Sequence, residues 1–344
     1  MKELVVCILN YNGFRDTIEC IESVRKYENM SKITVVILDN GSENESVLEL
    51  ERYLNNSKDE LLNTKIIDLK ELEELPLKNY EIILVKSSEN YGFAGGNNLI
   101  IKQAVLSNYK FITLLNNDTE FIMPSIEPLS NFMNDFPDYG VVTSNIVYHA
   151  NPDRVWNAGG RLFLGTRKYY TNKEVNNNLS SGNNKIIVNF VTGCFMMVRR
   201  EVFIKYGILS DKFFFGEEDY EFCMRLKSNN VKMCALLDVK ICHKVGATIK
   251  EKNIGKNDIN KSLVHHLNRY VDMKDYYRPL FWRTWKFISN MYILLLMSLK
   301  KEMKIGETIQ YVSILNKLSK KHHNVDKELF EKIMNNRNLK SLFP

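Results

Sequence analysis

Apolar residues along the first 120 positions fall in short, nearly continuous runs separated by amphipathic stretches. ELVVCIL (3–9) is the first run, and ITVVILDNGS (33–42) contains the second. Residues 81–86 and FITLL (111–115) supply two more. Runs of this length without alternation predict strands covered on both faces. Between them the period changes. Ile18, Ile21 and Val24 stand at helical spacing between Asp16, which is placed to cap, and Tyr27. Residues 44–56 and 98–109 read as two further helices. Strand alternating with helix predicts an α/β protein on a mostly parallel sheet flanked by helices.

Beyond residue 125 the alternation weakens. SIEPLSNFMNDFPDYG reads as a helix ending at Gly140. VVTSNIVYHANPDRVWNAGGRLF and KIIVNFVTGCFMMVRREVF read as strands, with the Asn-rich stretch 172–184 as a loop between them. A helix is expected over 217–230, and VKMCALLDVKICHKVGAT predicts one or two short strands. The rest is mostly helical. The chain thus divides into an α/β domain, 1–250, and a helical C-terminal extension, 251–344.

Composition changes this picture little. The chain has 344 residues, 44% hydrophobic and 26% charged, ordinary values for a protein with a sizeable core. The net charge of +6 is unevenly spread: residues 43–81 are acidic, and basic residues gather after 240. They form no recognised nucleic-acid-binding motif, so no nucleic-acid partner is expected. The six cysteines show neither C-x-x-C nor zinc spacing and sit mostly in apolar runs, as in a reducing compartment. The apolar run at the N-terminus stops at Asn10, short of a signal peptide, so a cytoplasmic protein is expected.

The candidate chemistry lies where strands end. NYNG, LDNGS, NYGFAGGNN and LLNND each follow a predicted strand or precede a helix. In parallel α/β sheets, ligands bind outside the carboxyl ends of the strands. Asp39 can accept hydrogen bonds from a nucleobase or ribose, or simply form a turn. Gly92, Gly95 and Gly96, read as a turn before a helix, would let the backbone approach an anionic ligand, although they match neither G-x-G-x-x-G nor a P-loop. Asn116 and Asp118 are one residue apart and would point the same way from an extended segment. Together they could hold Mg²⁺ or Mn²⁺ through oxygen, with water and a substrate diphosphate completing the shell; a plain polar turn is the alternative. Glu217, Glu218 and Asp219 follow three phenylalanines. They read either as a desolvated general base with neighbours or as acids favoured at a helix N-terminus. His243 is of a type that commonly binds metal.

Taken in order, VCILNYNG (6–13), LDNGS (38–42), ENYGFAGGNN (89–98), LLNND (114–118), TGCFMMVRR (192–200), FFFGEEDYEFCMRL (213–226) and HKVGAT (243–248) resemble the family-2 glycosyltransferases, specifically the rhamnosyltransferase-like branch. The resemblance covers residues 3–250. It implies the GT-A fold, a Rossmann-like single domain, with a nucleotide-binding half over 1–120 and an acceptor and catalytic half over 121–250. It implies inverting transfer of a sugar from a nucleotide-sugar donor, such as dTDP-rhamnose or a UDP-sugar, to a glycan or lipid-linked acceptor in cell-surface polysaccharide synthesis. By position, Asn10 and Asn12 would lie near the nucleotide, Asp39 would hold the base or ribose, and Gly95, Gly96 and Asn97 would line the donor pocket. Asn116 and Asp118 would match the family's D-x-D element, with Asn116 where many members have Asp. Asp118 and His243 would hold the metal, Mg²⁺ or Mn²⁺. Gly193 and Cys194 would lie near the acceptor. Asp219 would be the catalytic base with Glu218 in support, the extra acid Glu217 blurring the frame.

RPLFWRTWKFISNMYILLLMSLKK (278–301) combines aromatic, basic and aliphatic residues, and its uncharged part, 287–299, is too short to span a bilayer comfortably. Trp282, Arg283, Trp285 and Lys286 suit an interfacial segment at the inner membrane surface; a packed helix or a homodimer interface is the other reading. Two rival functions stand beside transfer: sugar-phosphate nucleotidyltransfer, whose Gly-rich, basic N-terminal signature VCILNYNGFRD lacks, and non-catalytic carbohydrate or nucleotide-sugar binding.

Overall fold

The computed structural model describes residues 2–56, 63–245, 256–300 and 303–336. They form two compact units: residues 1–209 with 218–250, and residues 210–217 with 251–344.

The first unit opens with β1 (Leu4–Asn10), α1 (Phe14–Tyr27), β2 (Ile33–Asn40), α2 (Ser46–Asn56), β3 (Thr64–Asp68), β4 (Ile82–Ser87), α3 (Gly92–Leu106) and β5 (Phe111–Asn116). It continues through β6 (Thr119–Phe121), α4 (Ile126–Asp135), β7 (Tyr139–Tyr148), β8 (Asn151–Asn157), β9 (Gly160–Phe163), β10 (Thr166–Tyr169), α5 (Asn172–Ser180), β11 (Lys185–Val188), β12 (Phe195–Arg199), α6 (Arg200–Tyr206), α7 (Glu218–Ser228) and β13 (Lys232–His243). The main sheet runs β11-β13-β7-β12-β5-β1-β2-β4-β3. β3, β4, β2, β1 and β5 are mutually parallel; β12 is antiparallel to β5 and β7, and β13 lies parallel to β7. β2 is buried from end to end, as expected of a central strand covered on both faces.

The register aligns the carboxyl ends. Asn10 pairs with Asp39, and Leu9 with Asn116, so the ends of β1, β2 and β5 share one edge. The core below that edge is aliphatic, with Val6, Ile8, Val35, Ile37, Leu84 and Leu115 among its members. A cavity of about 340 Å³ opens at the opposite edge, beside Leu4, Ile33 and Phe111 where β1, β2 and β5 begin.

Several elements differ from the sequence reading. The Asn-rich stretch 172–184 contains α5, because Thr171 and Glu174 form a capping box that satisfies the first-turn N–H groups. KMCALLDVKICH is one strand of 12 residues. Its polar Asp238 is exposed near a register shift against β7, and that irregularity lets the strand continue. The weakly apolar β3 had no counterpart in the sequence reading; it is an edge strand with only Ile67 fully buried. Asp16 caps nothing. Helix α1 starts earlier, after Gly13, and Asp16 pairs with Lys244 instead. α4 is capped from a distance: Glu28 accepts from the N–H groups of Ser125, Ile126 and Glu127. Burial raises the Glu28 carboxyl above its usual range despite those bonds.

The second unit comprises α8 (Lys256–Tyr276), α9 (Pro279–Lys300), α10 (Ile305–Lys321), α11 (Lys327–Met334) and the irregular segment 210–217, in which Phe213 bridges to Val325. Leu263, Leu267, Tyr270, Met297, Tyr311 and Leu315 lie at its core. Among the described residues no helix is long and apolar enough to cross a membrane.

Candidate active site

The site begins with an antiparallel pairing. Residues 117 and 118 turn the chain from β5 into β6, and β6 runs against the end of β13, with His243 opposite Thr119 and Ile241 opposite Phe121. That register brings the imidazole to the turn: His243 Nε2 lies 3.0 Å from Asp118 Oδ1, and the Lys244 N–H donates to Asp118 O at 2.9 Å. Both side chains are about nine-tenths buried. Among the described residues His243 Nδ1 is buried with no hydrogen-bond partner, and the Trp156 ring meets the imidazole edge-on at 4.3 Å between centroids. Lys244 Nζ neutralises the neighbouring acids, pairing with Asp16, Glu19 and Glu120. Burial alone would lower the Lys244 pKa, but these carboxylates raise it instead. Asp118 and His243 remain paired with each other.

Among the described residues no cluster of three or more His, Cys, Asp or Glu gathers as for a protein-saturated metal site. A carboxylate oxygen and an imidazole nitrogen with an orphaned partner atom nevertheless fit a divalent cation that takes its remaining ligands from water and phosphate. The rest of HKVGAT, from residue 246, lies outside the described residues.

Asp219 sits in the first turn of α7. The Gly193 N–H donates to Asp219 Oδ2 at 3.3 Å, and Arg167 Nη1 lies 3.5 Å from Oδ1. Arg167 belongs to the β9–β10 hairpin, and its guanidinium stands over the Tyr169 and Phe190 rings. Nothing in the sequence marked Arg167, since 52 residues separate it from Asp219. The adjoining acids have separate places. Glu218 is buried at the start of α7, in the first unit. Glu217 is fully buried in the second unit and ion-paired there with Arg269, Nη2 to Oε2 at 3.2 Å.

Between the two carboxylates runs the Gly193–Cys194 stretch. Cys194 O accepts from the Asn116 N–H at 2.9 Å, tying this stretch to β5. Burial first, then the charges of Asp118 and Asp219 and the neighbouring Cys20, raises the Cys194 thiol well above its usual range. Cys194 itself is only 3% exposed, so its side chain is core.

The other candidates all make contacts within the fold. Asp39 is fully buried. It accepts from Asn10 Nδ2 at 2.6 Å and from the Ser42 N–H and Oγ at 3.0 and 2.7 Å. Asn10 Oδ1 in turn accepts from Thr17 Oγ1. Asn12, at a φ of 54° that Asn tolerates, accepts from the Glu43 N–H. These residues lock the ends of β1 and β2 together. Gly95 and Gly96 lie inside α3, not in a turn before it; the helix starts at Gly92. A Cβ on Gly96 would come within 3.1 Å of Leu9, so this glycine lets α3 pack closely on β1. Asn97 is buried and donates to Phe93 O. Asn116 closes β5, half-buried, and the turn that follows removes the extended geometry that would have aligned it with Asp118. Asn117, unmarked by the sequence reading, anchors that turn through Thr17 Oγ1 at 3.0 Å.

The family model described as glycosyl transferase family 2 matches residues 5–207. A relative, the low-salt glycan biosynthesis hexosyltransferase Agl10 of Haloferax volcanii, is 27% identical over 165 residues, covering 46% of this chain and 51% of its own length. The chain thus spans about half of that curated relative. A crystal structure of GalNAc-T7 with UDP, GalNAc and Mn²⁺ superimposes with a TM-score of 0.56 at 13% identity, over 96% of this chain and 56% of the other. The mannosyltransferase PcManGT of Pyrobaculum calidifontis, in complex with GDP-Man and Mn²⁺, gives 0.53 at 13% identity, over 93% and 75%. The architecture is that of the GT-A fold, with C-terminal helices added.

Proposed function

The chain belongs to glycosyl transferase family 2, and from that membership we propose that it is an inverting, metal-dependent glycosyltransferase with Asp219 as its base and Asp118 and His243 at the diphosphate end. The observation that carries the reading is the arrangement of these carboxylates. They occupy one unit, stand on different elements, and flank the same Gly193–Cys194 stretch. An inverting transfer needs two such groups on opposite faces of the donor sugar.

In the reaction, the acceptor hydroxyl gives its proton to Asp219 as its oxygen bonds to the anomeric carbon. The bond from that carbon to the diphosphate oxygen breaks, and the diphosphate leaves with the electron pair. The Gly193 N–H and Arg167 fix the Asp219 carboxylate, so the base does not have to be ordered as the reaction proceeds. A divalent cation held by Asp118 and His243 would supply charge neutralisation for the leaving diphosphate. The Asn10–Asp39–Ser42 network holds the β1 and β2 ends as the floor for the nucleotide. The donor is a dTDP- or UDP-linked sugar, dTDP-rhamnose among them, and the acceptor is a glycan or a lipid-linked saccharide of surface polysaccharide synthesis.

A thermal-shift panel of UDP-, dTDP- and GDP-sugars, each with Mn²⁺ and with EDTA, tests the donor end, because a ligand that binds only the folded state raises its stability. One nucleotide class should stabilise with Mn²⁺ and lose the effect in EDTA. Equal stabilisation in EDTA would remove the metal from the proposal. Stabilisation with no product from any acceptor pool, and none lost on Asp219→Asn, would favour non-catalytic binding.

A further inference from the structure

The sequence placed the interfacial character of 278–301 on its tryptophans, and the structure turns those inward. Trp282 and Trp285 stack on each other at 5.4 Å and both meet Tyr270, while Lys286 lies over Tyr270 and Trp282. Ile293 and Met297 are buried on the same inner side. The outward face of α9 is apolar instead. Leu280, Phe287, Ile288, Met291, Leu295 and Leu299 are each between 53% and 79% exposed. Their spacing keeps them on one side of the helix along its whole length. Ile305 and Ile309, also exposed, open α10 beside the end of α9, where Ser298 Oγ meets Thr308 Oγ1 at 3.3 Å. Scattered apolar residues on a surface need no explanation; a continuous stripe does.

Charge identifies what covers it. Apart from the inward-turned Lys286, the sequence 278–300 contains Arg278, Arg283 and Lys300 and no Asp or Glu, and Arg278 and Arg283 are exposed. A second copy docked face to face would bring these cations together with no acid on either helix to answer them. An anionic lipid surface answers them directly. The helix is apolar on one side only and too polar on the other to cross a bilayer, so it would lie in the plane of the headgroups. We propose that the outer face of α9 seats this protein on an anionic membrane surface. This goes beyond the transfer reaction and does not depend on the roles given to Asp118 or Asp219.

The test is co-flotation of the full chain with vesicles of phosphatidylcholine alone or with one third phosphatidylglycerol, alongside light-scattering mass. Wild type should float with the anionic vesicles, less with the neutral ones, and less again at high salt. Phe287→Asp combined with Met291→Asp should cut the bound fraction at least ~10-fold with melting temperature and mass unchanged, since both side chains are exposed. Leu106→Asp, at an equally exposed leucine on α3, should leave binding intact. The proposal falls if wild type stays with the unbound fraction, if the double variant floats like wild type, or if that variant converts a dimer to a monomer without changing flotation.

Discussion

Asp118 and Asp219 are partly to largely buried carboxylates of one unit, and each faces one nitrogen side chain: His243 at 3.0 Å, Arg167 at 3.5 Å. The surroundings differ in kind. The Asp118 partner arrives on a strand paired into the main sheet, and among the described residues its other nitrogen has no partner. An imidazole is the side-chain type that the proposed metal role of this end calls for. The Asp219 partner arrives on a separate two-stranded hairpin and is a guanidinium, which keeps its charge at any working pH. Its hold on the carboxylate can be released only by movement. One partner is thus an imidazole carried by the main sheet, and the other a guanidinium carried by a separate hairpin.

The largest test of this contrast is Asp219→Asn. It should lower transfer by about 10³-fold while donor binding by thermal shift survives. Full turnover would take Asp219 out of the base role. Asp118→Asn should cost about 10²-fold in kcat and abolish the EDTA-sensitive part of donor stabilisation, which separates the metal end from the base end. Arg167→Gln sharpens the difference in partners. It should reduce kcat about 10-fold without changing Mn²⁺-dependent donor binding; an effect on metal dependence would show that the ends are not distinct. Gly193→Ala would press a Cβ to 3.0 Å from the Phe93 ring beside Asp219, and should cost roughly 1–2 kcal/mol of stability with a few-fold activity loss. The smallest effect expected is none at all. Burial pushes the Cys20 thiol up to about 12 and Cys194 well above its usual range, so iodoacetamide at mildly alkaline pH should leave activity intact.

The parallel strands were legible in sequence because burial on both faces leaves an unbroken apolar run, as in β2. The order of the strand-end motifs was legible for the same reason. What sequence concealed depended on distant partners. Gly96 looked like loop chemistry, but its meaning comes from Leu9 across the helix–strand contact. Asp39 read as a ligand contact or a turn former, and the bonds it accepts from Asn10 and Ser42 could not be seen in the sequence. The resemblance ranked the three consecutive acids 217–219, but the partners of the outer two, Arg269 for Glu217 and Arg167 for Asp219, were not legible. The helix α5 is a different case, since Thr171 and Glu174 stood at capping-box spacing in the sequence and composition outweighed them.

The excursion of residues 210–217 into the helical unit has a practical consequence for anyone shortening this chain. A version ended at residue 250 would retain every motif that marks the family, yet it would strip Glu217 of Arg269 and the Phe215 carbonyl of the Asn268 amide that donates to it. The segment leading into the proposed base would then begin with a stranded charge. Such a fragment would keep its motifs and lose these partners, so the proposed activity is expected of a chain that retains the helices.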